Sequence, residues 1–174
     1  MTKIFSISNQ KGGVGKTTTT VNLATALSAL KKKVLIIDLD PQGNATVSLG
    51  LKRCQGGKSS YTVLTGRYAA AECVLPTAIP YLYVLPASQE LLGVDIELAD
   101  VERPQFYLKK AMAGLADFDY IFVDCPPAVG LLTMNALVAS TSVIIPVQCE
   151  YLALEGVADL MKTIERIKKN FNPT

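Results

Sequence analysis

The residues best suited to chemistry form a glycine-rich run near the start of the chain, Lys11-Gly12-Gly13-Val14-Gly15-Lys16-Thr17-Thr18. Glycine adopts backbone angles that other residues avoid, so successive N–H groups can point into one concavity and bind phosphate oxygens. The helix predicted to begin at Lys16 would add unpaired N–H groups and the positive end of its dipole. The run therefore predicts a phosphate site in which Lys16 reaches the β- and γ-phosphates and the Thr17 hydroxyl binds Mg²⁺.

Aspartates follow two of the predicted strands, at the points where those strands end. Asp38 and Asp40 come after one apolar run, and Asp124 ends another. For each aspartate taken alone, a structural role as a helix cap or turn former explains the residue as well as a role in a site does. Ligands of open α/β sheets bind at the carboxyl ends of the strands, however, so these carboxylates should converge on the glycine-rich run. Together with Thr17 they predict a Mg²⁺ site, because this ion prefers oxygen ligands and keeps several waters.

Composition excludes several kinds of site. The chain has 174 residues and no histidine, which excludes Ser-His and Cys-His hydrolysis and leaves carboxylates, hydroxyls, lysines or water for proton transfer. The formal net charge of +2 is too small to argue for nucleic acid by itself. Four scattered cysteines form no C-x-x-C pair and are interpreted as reduced, mostly buried thiols: Cys54, Cys73, Cys125 and Cys149.

The sequence shows neither a membrane-spanning stretch nor a secretory signal. Charged residues, prolines or other polar residues interrupt every apolar stretch before it reaches the length of a membrane-spanning helix. The first ten residues, Met1–Gln10, lack a basic region followed by a long apolar run. We therefore expect a cytoplasmic protein.

The elements that must position these residues alternate between short apolar strands and longer helices, a pattern typical of a parallel sheet covered on both faces. The predicted strands are Lys3–Ser8, Lys33–Asp38, Leu82–Leu85, Tyr120–Asp124 and Ser142–Val147. The predicted helices lie within Lys16–Leu30, Ser88–Ala99, Pro104–Leu115, Gly130–Ala139 and Leu154–Asn170. We therefore expect an α/β fold of the P-loop NTPase class, with a mostly parallel, twisted sheet and residues 1–174 forming a single domain.

The spacing of apolar residues predicts which helix faces are buried. In the helix Lys16–Leu30, five apolar residues recur at helical spacing and should pack inward: Val21, Leu23, Ala24, Leu27 and Leu30. In the helix Leu154–Asn170, one face carries Leu160, Ile164 and Ile167. The most loop-like stretch is Gly50–Ser60, which we expect to be exposed and mobile. Because the sequence stops just after a helix, where an alternating fold would supply another strand, we expect a fold truncated at its C-terminus.

The glycine-rich run departs from the ordinary G-x-x-x-x-G-K-[ST] pattern, because Asn9 or Gln10 stands where the first glycine is expected. With Lys11 and the two glycines after it, the run resembles the deviant Walker A motif of the ParA/MinD group of ATPases. The resemblance implies that Lys11 reaches across a dimer interface to the nucleotide held by the other subunit. There it would act as an arginine finger does, adding positive charge where negative charge gathers on the transferred phosphoryl group. A lysine that is merely solvated in the loop is the alternative.

The segment Asp38–Thr46 resembles the switch I segment of ParA proteins. By this resemblance Asp40 positions or activates the attacking water and Asp38 supports the Mg²⁺ shell. Asp124 fits the Walker B role, and the prolines after it stiffen the segment that corresponds to switch II. The residues expected to be catalytic are thus Lys11, Lys16 and Asp40.

Two further segments, residues 123–137 and 146–156, are typical of the same proteins, and essentially the whole chain resembles a ParA/Soj-type chromosome or plasmid partitioning ATPase. Such proteins use ATP to form a sandwich dimer that binds DNA nonspecifically, and they release it when a ParB-type partner stimulates hydrolysis. The resemblance implies ATP and Mg²⁺ as ligands, a homodimer, and a cytoplasmic protein associated with the nucleoid. It also implies that the DNA contacts and much of the adenine pocket lie largely beyond residue 174.

Three alternatives share parts of this pattern. A MinD-like ATPase binds membranes through a basic amphipathic C-terminal helix, and no such helix is visible in the sequence. An iron-protein-like ATPase would hold an Fe–S cluster with cysteines near the dimer axis, for which Cys125 and Cys149 are candidates. A noncatalytic nucleotide-dependent binding module is the third alternative, disfavoured because Lys16, Asp40 and Asp124 are all present.

Overall fold

Among residues 2–54, 57–149 and 153–172, which the computed structural model describes, six strands form one sheet. They are β1 (Lys3–Ile7), β2 (Val34–Asp38), β3 (Leu75–Pro76), β4 (Leu82–Leu85), β5 (Tyr120–Asp124) and β6 (Ser142–Ile144). Their spatial order is β3-β4-β2-β5-β1-β6. Every neighbouring pair is parallel except β3 and β4, which are antiparallel. The mostly parallel sheet predicted from the sequence is confirmed.

Helices fill most of the connections between the strands. The α-helices are α1 (Lys16–Ala29), α2 (Asn44–Ser48), α3 (Ser60–Leu64), α4 (Ala70–Cys73), α5 (Val94–Glu97), α6 (Tyr107–Ala111), α7 (Leu131–Ala139) and α8 (Ala153–Asn170). Short 3₁₀ segments lie at Gln89–Gly93, Pro104–Phe106 and Met112–Leu115. The five helical regions predicted from the sequence are all helical in the structure.

The sheet is covered on both faces, as the alternation of side chains along β2 illustrates. Val34 and Ile36 belong to a buried cluster that includes residues of α1. Leu35 and Ile37 belong to a second buried cluster that includes residues of α7. Successive side chains of a strand point to opposite faces, so a strand buried on both faces needs an uninterrupted apolar run.

The buried face of α1 differs from the prediction. Val21 and Leu27 pack against the core as expected, but Leu23 is 39% exposed and Leu30 is 71% exposed. The buried positions recur every four residues and are Lys16, Thr20, Ala24 and Ser28. This stripe is largely polar because Lys16 lines the candidate site and the Thr20 and Ser28 hydroxyls are hydrogen-bonded. The prediction that all five apolar residues pack inward is therefore wrong for Leu23 and Leu30.

Glycine and proline modify other predicted elements. The helix predicted over Ser88–Ala99 is a 3₁₀ segment up to Gly93 and an α-helix only afterwards, because glycine in a helix interior is destabilising. The region Pro104–Leu115 is divided in the same way, with α6 between two 3₁₀ segments. The predicted strand Ser142–Val147 ends at Ile144, close to Pro146, which has no N–H for a strand ladder.

The prediction that Gly50–Ser60 is an exposed loop is wrong for its last two residues. Ser59 and Ser60 are buried, because Ser59 caps α3 and its Oγ accepts a hydrogen bond from the Thr62 N–H at 3.4 Å. Residues Gln55-Gly56 of this loop lie outside the described part of the chain. The expected mobility of the loop stays a prediction.

The last helix, α8, buries the face predicted for it. Leu160 and Ile167 are buried, and Ile164 packs against the same core. Residues 150–152, which precede α8 in a segment used for the resemblance, and residues 173–174 lie outside the described residues. No helix in the described ranges has the length and apolar character needed to cross a membrane.

Burial of the cysteines is more mixed than expected. Cys73 and Cys125 are buried, Cys54 is half-buried and Cys149 is exposed. All four are free thiols, as predicted, but only two of them are core residues.

Candidate nucleotide site

The glycine-rich run forms the turn between β1 and α1. Gly13 and Gly15 have φ angles of 73° and 91°, in the left-handed region where a Cβ atom would be strained. Gly15 is the N-cap of α1, and no side chain caps this helix end. The first turn of α1 therefore presents N–H groups that an anion can accept from.

A cavity of about 360 Å³ lies against this turn. Its lining includes Gly12, Gly13, Gly15, Lys16, Thr17 and Thr18 of the glycine-rich run. The opposite side comes from the segments after β2 and β5 and consists of Asp40, Gln42, Asn44 and Pro127. The structure thus brings most of the predicted nucleotide residues to one cavity with Asp40. Predicted residues that do not line it are Lys11, Val14, Asp38 and Asp124.

The strand register places two of the predicted acids side by side. Asp38 of β2 is the partner of Asp124 on β5, and both lie at the carboxyl edge of the sheet. Asp124 is fully buried and accepts two hydrogen bonds from α1. The Thr17 Oγ1 donates to its Oδ2 at 2.8 Å, and the Thr20 Oγ1 donates to its Oδ1 at 2.9 Å. Asp124 therefore joins the start of α1 to the centre of the sheet.

The electrostatic state of Asp124 follows from its burial. Burial raises the pKa of this carboxyl to about 7, against the hydrogen bond from Thr17, which favours the charged form. The neighbouring carboxylate of Asp38 raises the pKa further. A cation close to Asp124 would favour its ionised form.

Asp38 and Asp40 occupy different surroundings although they are two residues apart. The Asp38 Oδ2 accepts hydrogen bonds from the Thr46 N–H at 2.8 Å and from the Thr46 Oγ1 at 2.7 Å. Burial raises the pKa of the Asp38 carboxyl to about 6. The Asp40 side chain accepts a hydrogen bond at its Oδ1 from the Gln42 N–H at 2.9 Å, and the residue lines the cavity. Asp38 thus holds the turn that carries Asp40 into the cavity wall.

Lys16 supplies positive charge inside this wall. Its residue is only 7% exposed, and its Nζ donates to the Lys11 carbonyl at 3.2 Å. Burial lowers the pKa of Lys16, while Asp124 and Asp40 act in the opposite direction and favour the ammonium. An anion entering the cavity would meet this ammonium and the backbone N–H groups together.

The donor set at the cavity fits Mg²⁺ in a particular way. The described residues contain no group of three or more carboxylate or thiol side chains placed to enclose a metal ion. A site built here would therefore combine the Thr17 hydroxyl and a carboxylate of Asp40 or Asp124 with phosphate oxygens and waters. Mg²⁺ binds in this manner, because it keeps several waters and is seldom enclosed by protein ligands alone.

Four residues at the site were not predicted from the sequence. Thr20 and Thr46 hydrogen-bond to the buried aspartates, as described above. The Asn9 Nδ2 donates to the Pro146 carbonyl at 2.7 Å, and the Gln148 Nε2 donates to the Gly13 carbonyl at 3.1 Å. The spacing of Thr17 and Thr20, one helical turn apart, was a usable signal for Thr20. The bonds of Asn9 to Pro146 and of Gln148 to Gly13 join distant segments, which no local pattern reveals.

Cys125 is poorly placed for a cluster shared at a surface. It is 1% exposed, and its Sγ lies 3.7 Å from the Val123 carbonyl, to which it donates. Burial raises the pKa of this thiol, whereas metal ligation requires the thiolate. Of the two cysteines considered for an Fe–S cluster, only Cys149 is accessible.

Comparison with known proteins gives matches over the whole chain. The family model described as AAA domain matches residues 2–174. The chain is 47% identical to the chromosome partitioning protein ParA of Myxococcus xanthus over 172 residues, covering 98% of this chain and 61% of that protein. It is 46% identical to the sporulation initiation inhibitor protein Soj of Bacillus subtilis over 173 residues, covering 99% of this chain and 68% of that protein.

A solved structure also matches closely. It is cobyrinic acid a,c-diamide synthase from Mycobacterium smegmatis with bound ATP analog and magnesium, with a TM-score of 0.95 and 39% identity. The match covers 99% of this chain and 71% of that one. The chain spans less than two thirds of the length of the Myxococcus relative. The match identifies the sheet and its helices as the P-loop NTPase fold, and the chain belongs to the AAA domain family, among the ParA/Soj-type partitioning ATPases.

Proposed function

We propose that the chain is a Mg²⁺-dependent ATPase that acts as a nucleotide-controlled dimerisation switch in DNA partitioning. The observation that carries this proposal is the cavity in which the glycine-rich turn and the Lys16 ammonium face Asp40. Residues 1–174 act as one P-loop domain in this proposal. Relatives named ParA and Soj support the partitioning role, and a solved structure with bound ATP analog and magnesium supports the choice of ligands.

Phosphate binding is the task of the glycine-rich turn. The N–H groups of residues 12–18 and the start of α1 bind phosphate oxygens, and Lys16 reaches the β- and γ-phosphates. Thr17 and the carboxylates of Asp40 and Asp124 hold Mg²⁺, with Asp38 supporting this shell through the turn it stabilises. When bound, the ion neutralises charge on the phosphate oxygens.

Hydrolysis is assigned to Asp40 and Lys11. Asp40 faces the cavity and orients the attacking water, accepting its proton or holding it in line with the γ-phosphate. Lys11 of the other subunit adds positive charge to the phosphoryl group as it transfers. Because the γ-phosphate contacts both switch segments, ATP favours the dimer and ADP does not.

The dimer with ATP is expected to bind DNA nonspecifically, and a ParB-type DNA-binding partner to stimulate hydrolysis. These roles place the protein in the cytoplasm, associated with the nucleoid rather than with a membrane. Gel mobility of nonspecific DNA at one stated salt concentration, with ATP, with ADP and without nucleotide, tests them. A shift only with ATP supports the proposal. Shifts that ignore the nucleotide, or none at all with a protein as long as the relatives, contradict it.

Calorimetric titration tests nucleotide binding directly. Mg-ATP should bind the unaltered chain, and Lys16→Ala should abolish binding because it removes the ammonium at the phosphates. Lys32→Ala is the matched control, since Lys32 is an exposed lysine beyond α1. Zero heat with the unaltered chain would overturn the proposed function.

A further inference from the structure

Asn9 is a buried polar residue at the point where β1 leads into the glycine-rich turn. It is 3% exposed, and both ends of its amide are used. Its Oδ1 accepts from the Lys11 N–H at 3.0 Å, and its Nδ2 donates to the Pro146 carbonyl at 2.7 Å. The first of these bonds is an Asx turn, in which a side chain fixes the backbone two residues later. The second ties that turn to the segment after β6.

The backbone of Lys11 is held on its other side as well. Its carbonyl accepts from the Lys16 Nζ at 3.2 Å. Peptide groups are planar, so fixing the N–H and the C=O of one residue restricts both of its backbone dihedrals. The dihedrals in turn fix the direction of the Cα–Cβ bond. Lys11 is therefore a residue whose side chain leaves the turn in a direction set by Asn9 and Lys16.

We propose that Asn9 is a positioning residue for Lys11, and that it acts on turnover rather than on nucleotide affinity. This inference rests on the proposed function, in which Lys11 acts on the nucleotide of the other subunit. A side chain that must reach another subunit benefits from a fixed starting direction, since less conformational freedom is lost when the contact forms. A glycine at this position has no side chain and cannot provide the turn.

Gln148 provides a matched control with the same chemistry. Its side-chain amide also donates to the glycine-rich turn, but at the Gly13 carbonyl rather than at Lys11. Gly13 lines the cavity, so Gln148 supports the part of the turn that binds phosphate. Loss of Gln148 should therefore weaken nucleotide binding, whereas loss of Asn9 should slow hydrolysis.

The test compares Asn9→Ala, Asn9→Ser and Gln148→Ala with the unaltered chain. Dissociation constants for Mg-ATP and turnover at saturating Mg-ATP are measured for each. Asn9→Ala should lower turnover by roughly tenfold, the size expected for one or two lost hydrogen bonds, and leave the dissociation constant within about twofold. Asn9→Ser should restore most of the turnover, because a serine hydroxyl can accept the same N–H but cannot reach Pro146. Gln148→Ala should instead raise the dissociation constant.

Each other outcome decides against the inference. Equal turnover in Asn9→Ala and the unaltered chain overturns it, as does a loss of affinity without a loss of turnover. Failure of Asn9→Ser to restore turnover shows that the tie to Pro146 matters and the Lys11 N–H does not. If melting curves show that Asn9→Ala is unfolded, Asn9→Leu, which keeps a side chain of similar size but also lacks the acceptor, takes its place. An unaltered chain without any turnover overturns the proposed function itself, which distinguishes the two failures.

Discussion

At the scale of single residues, the three buried aspartates divide the work of the site. Asp124 is bonded to two hydroxyls of α1, and Asp38 is bonded to Thr46. Asp40 has one backbone donor and a free approach from the cavity. A carboxylate that must accept a proton from water needs such an approach. Asp40 is therefore the member of the group that can meet the attacking water.

Replacement of Asp40 should separate binding from chemistry. Asp40→Ala is expected to keep ATP and to remain as an ATP-bound dimer, because the phosphate-binding turn, Thr17 and Asp124 are all intact. Turnover should fall by about 100-fold or more, the usual contribution of a positioned general base. Phosphate release measures turnover, and light scattering after gel filtration measures the dimer. Asp100→Ala, at an exposed position, is the control, and equal turnover in Asp40→Ala and the unaltered chain would contradict the assignment.

The raised pKa of Asp124 predicts how stability depends on pH. The value is about 7 in the folded chain against 3.8 for an unperturbed carboxyl, so the folded state binds this proton more tightly. The contribution to stability is complete below about pH 4 and is lost as the pH rises through about 7, by at most about 1.4 kcal/mol per pH unit. Urea unfolding of the nucleotide-free chain in chelator, from pH 5 to 8, measures it.

Asp124→Asn is the matched variant for this pH dependence. The asparagine does not titrate, so its stability should change less with pH than that of the unaltered chain. Asp38 still titrates in both proteins, with a pKa of about 6. The free energy of unfolding of Asp124→Asn therefore still falls with rising pH below about 6, but less steeply than that of the unaltered chain. Parallel profiles for the two proteins between pH 6 and 7 would show that Asp124 does not titrate there.

At the scale of elements, the central strands could be predicted because burial on both faces requires an unbroken apolar run. β4 and β5 have the predicted bounds, and β2 begins one residue later than predicted. The glycine-rich turn was predictable for a related reason, since few residues other than glycine adopt its backbone angles. The candidate site could therefore be placed between β1 and α1 from local sequence alone.

Other elements could not be predicted because they depend on distant contacts or are very short. The buried stripe of α1 is polar where it meets Asp124, and apolar spacing therefore predicted burial for Leu23 and Leu30, which are exposed. α2, α3, α4 and β3 contain between two and five residues each, too few to show a period. Ser59 is buried because it caps α3. From composition alone it was predicted to belong to an exposed loop.

One side chain links three of these elements and predicts a measurable loss. The Thr46 Oγ1 of α2 donates to Asp38 of β2 and accepts from the Ala87 N–H that follows β4, at 3.1 Å. Thr46→Val should destabilise the fold by about 2 kcal/mol, because it leaves a buried N–H and a carboxylate without this partner. Thr46→Ser keeps the hydroxyl and is the control. Urea unfolding measures both, and a Thr46→Val protein as stable as the unaltered chain would contradict the role of the hydroxyl.

At the scale of the whole molecule, the proposed switch requires two copies. Lys11→Ala should bind Mg-ATP as a monomer and fail to hydrolyse it, because the cation supplied to the other subunit is missing. Gel filtration with light scattering, with and without ATP, measures the change. Lys31→Ala, at another exposed lysine after α1, should dimerise as the unaltered chain does. Normal dimerisation of Lys11→Ala would refute the role in trans.

The buried Asp124 carboxyl, which accepts hydrogen bonds from two threonine hydroxyls, should affect the heat measured when Mg²⁺ binds. Burial raises the pKa of this carboxyl to about 7, so protonated and ionised forms are both populated at neutral pH. A divalent ion bound beside it favours the ionised form and releases the proton into the medium. The heat of titration then includes the ionisation enthalpy of the buffer, so phosphate and Tris solutions of equal pH should return different apparent enthalpies for one and the same binding event.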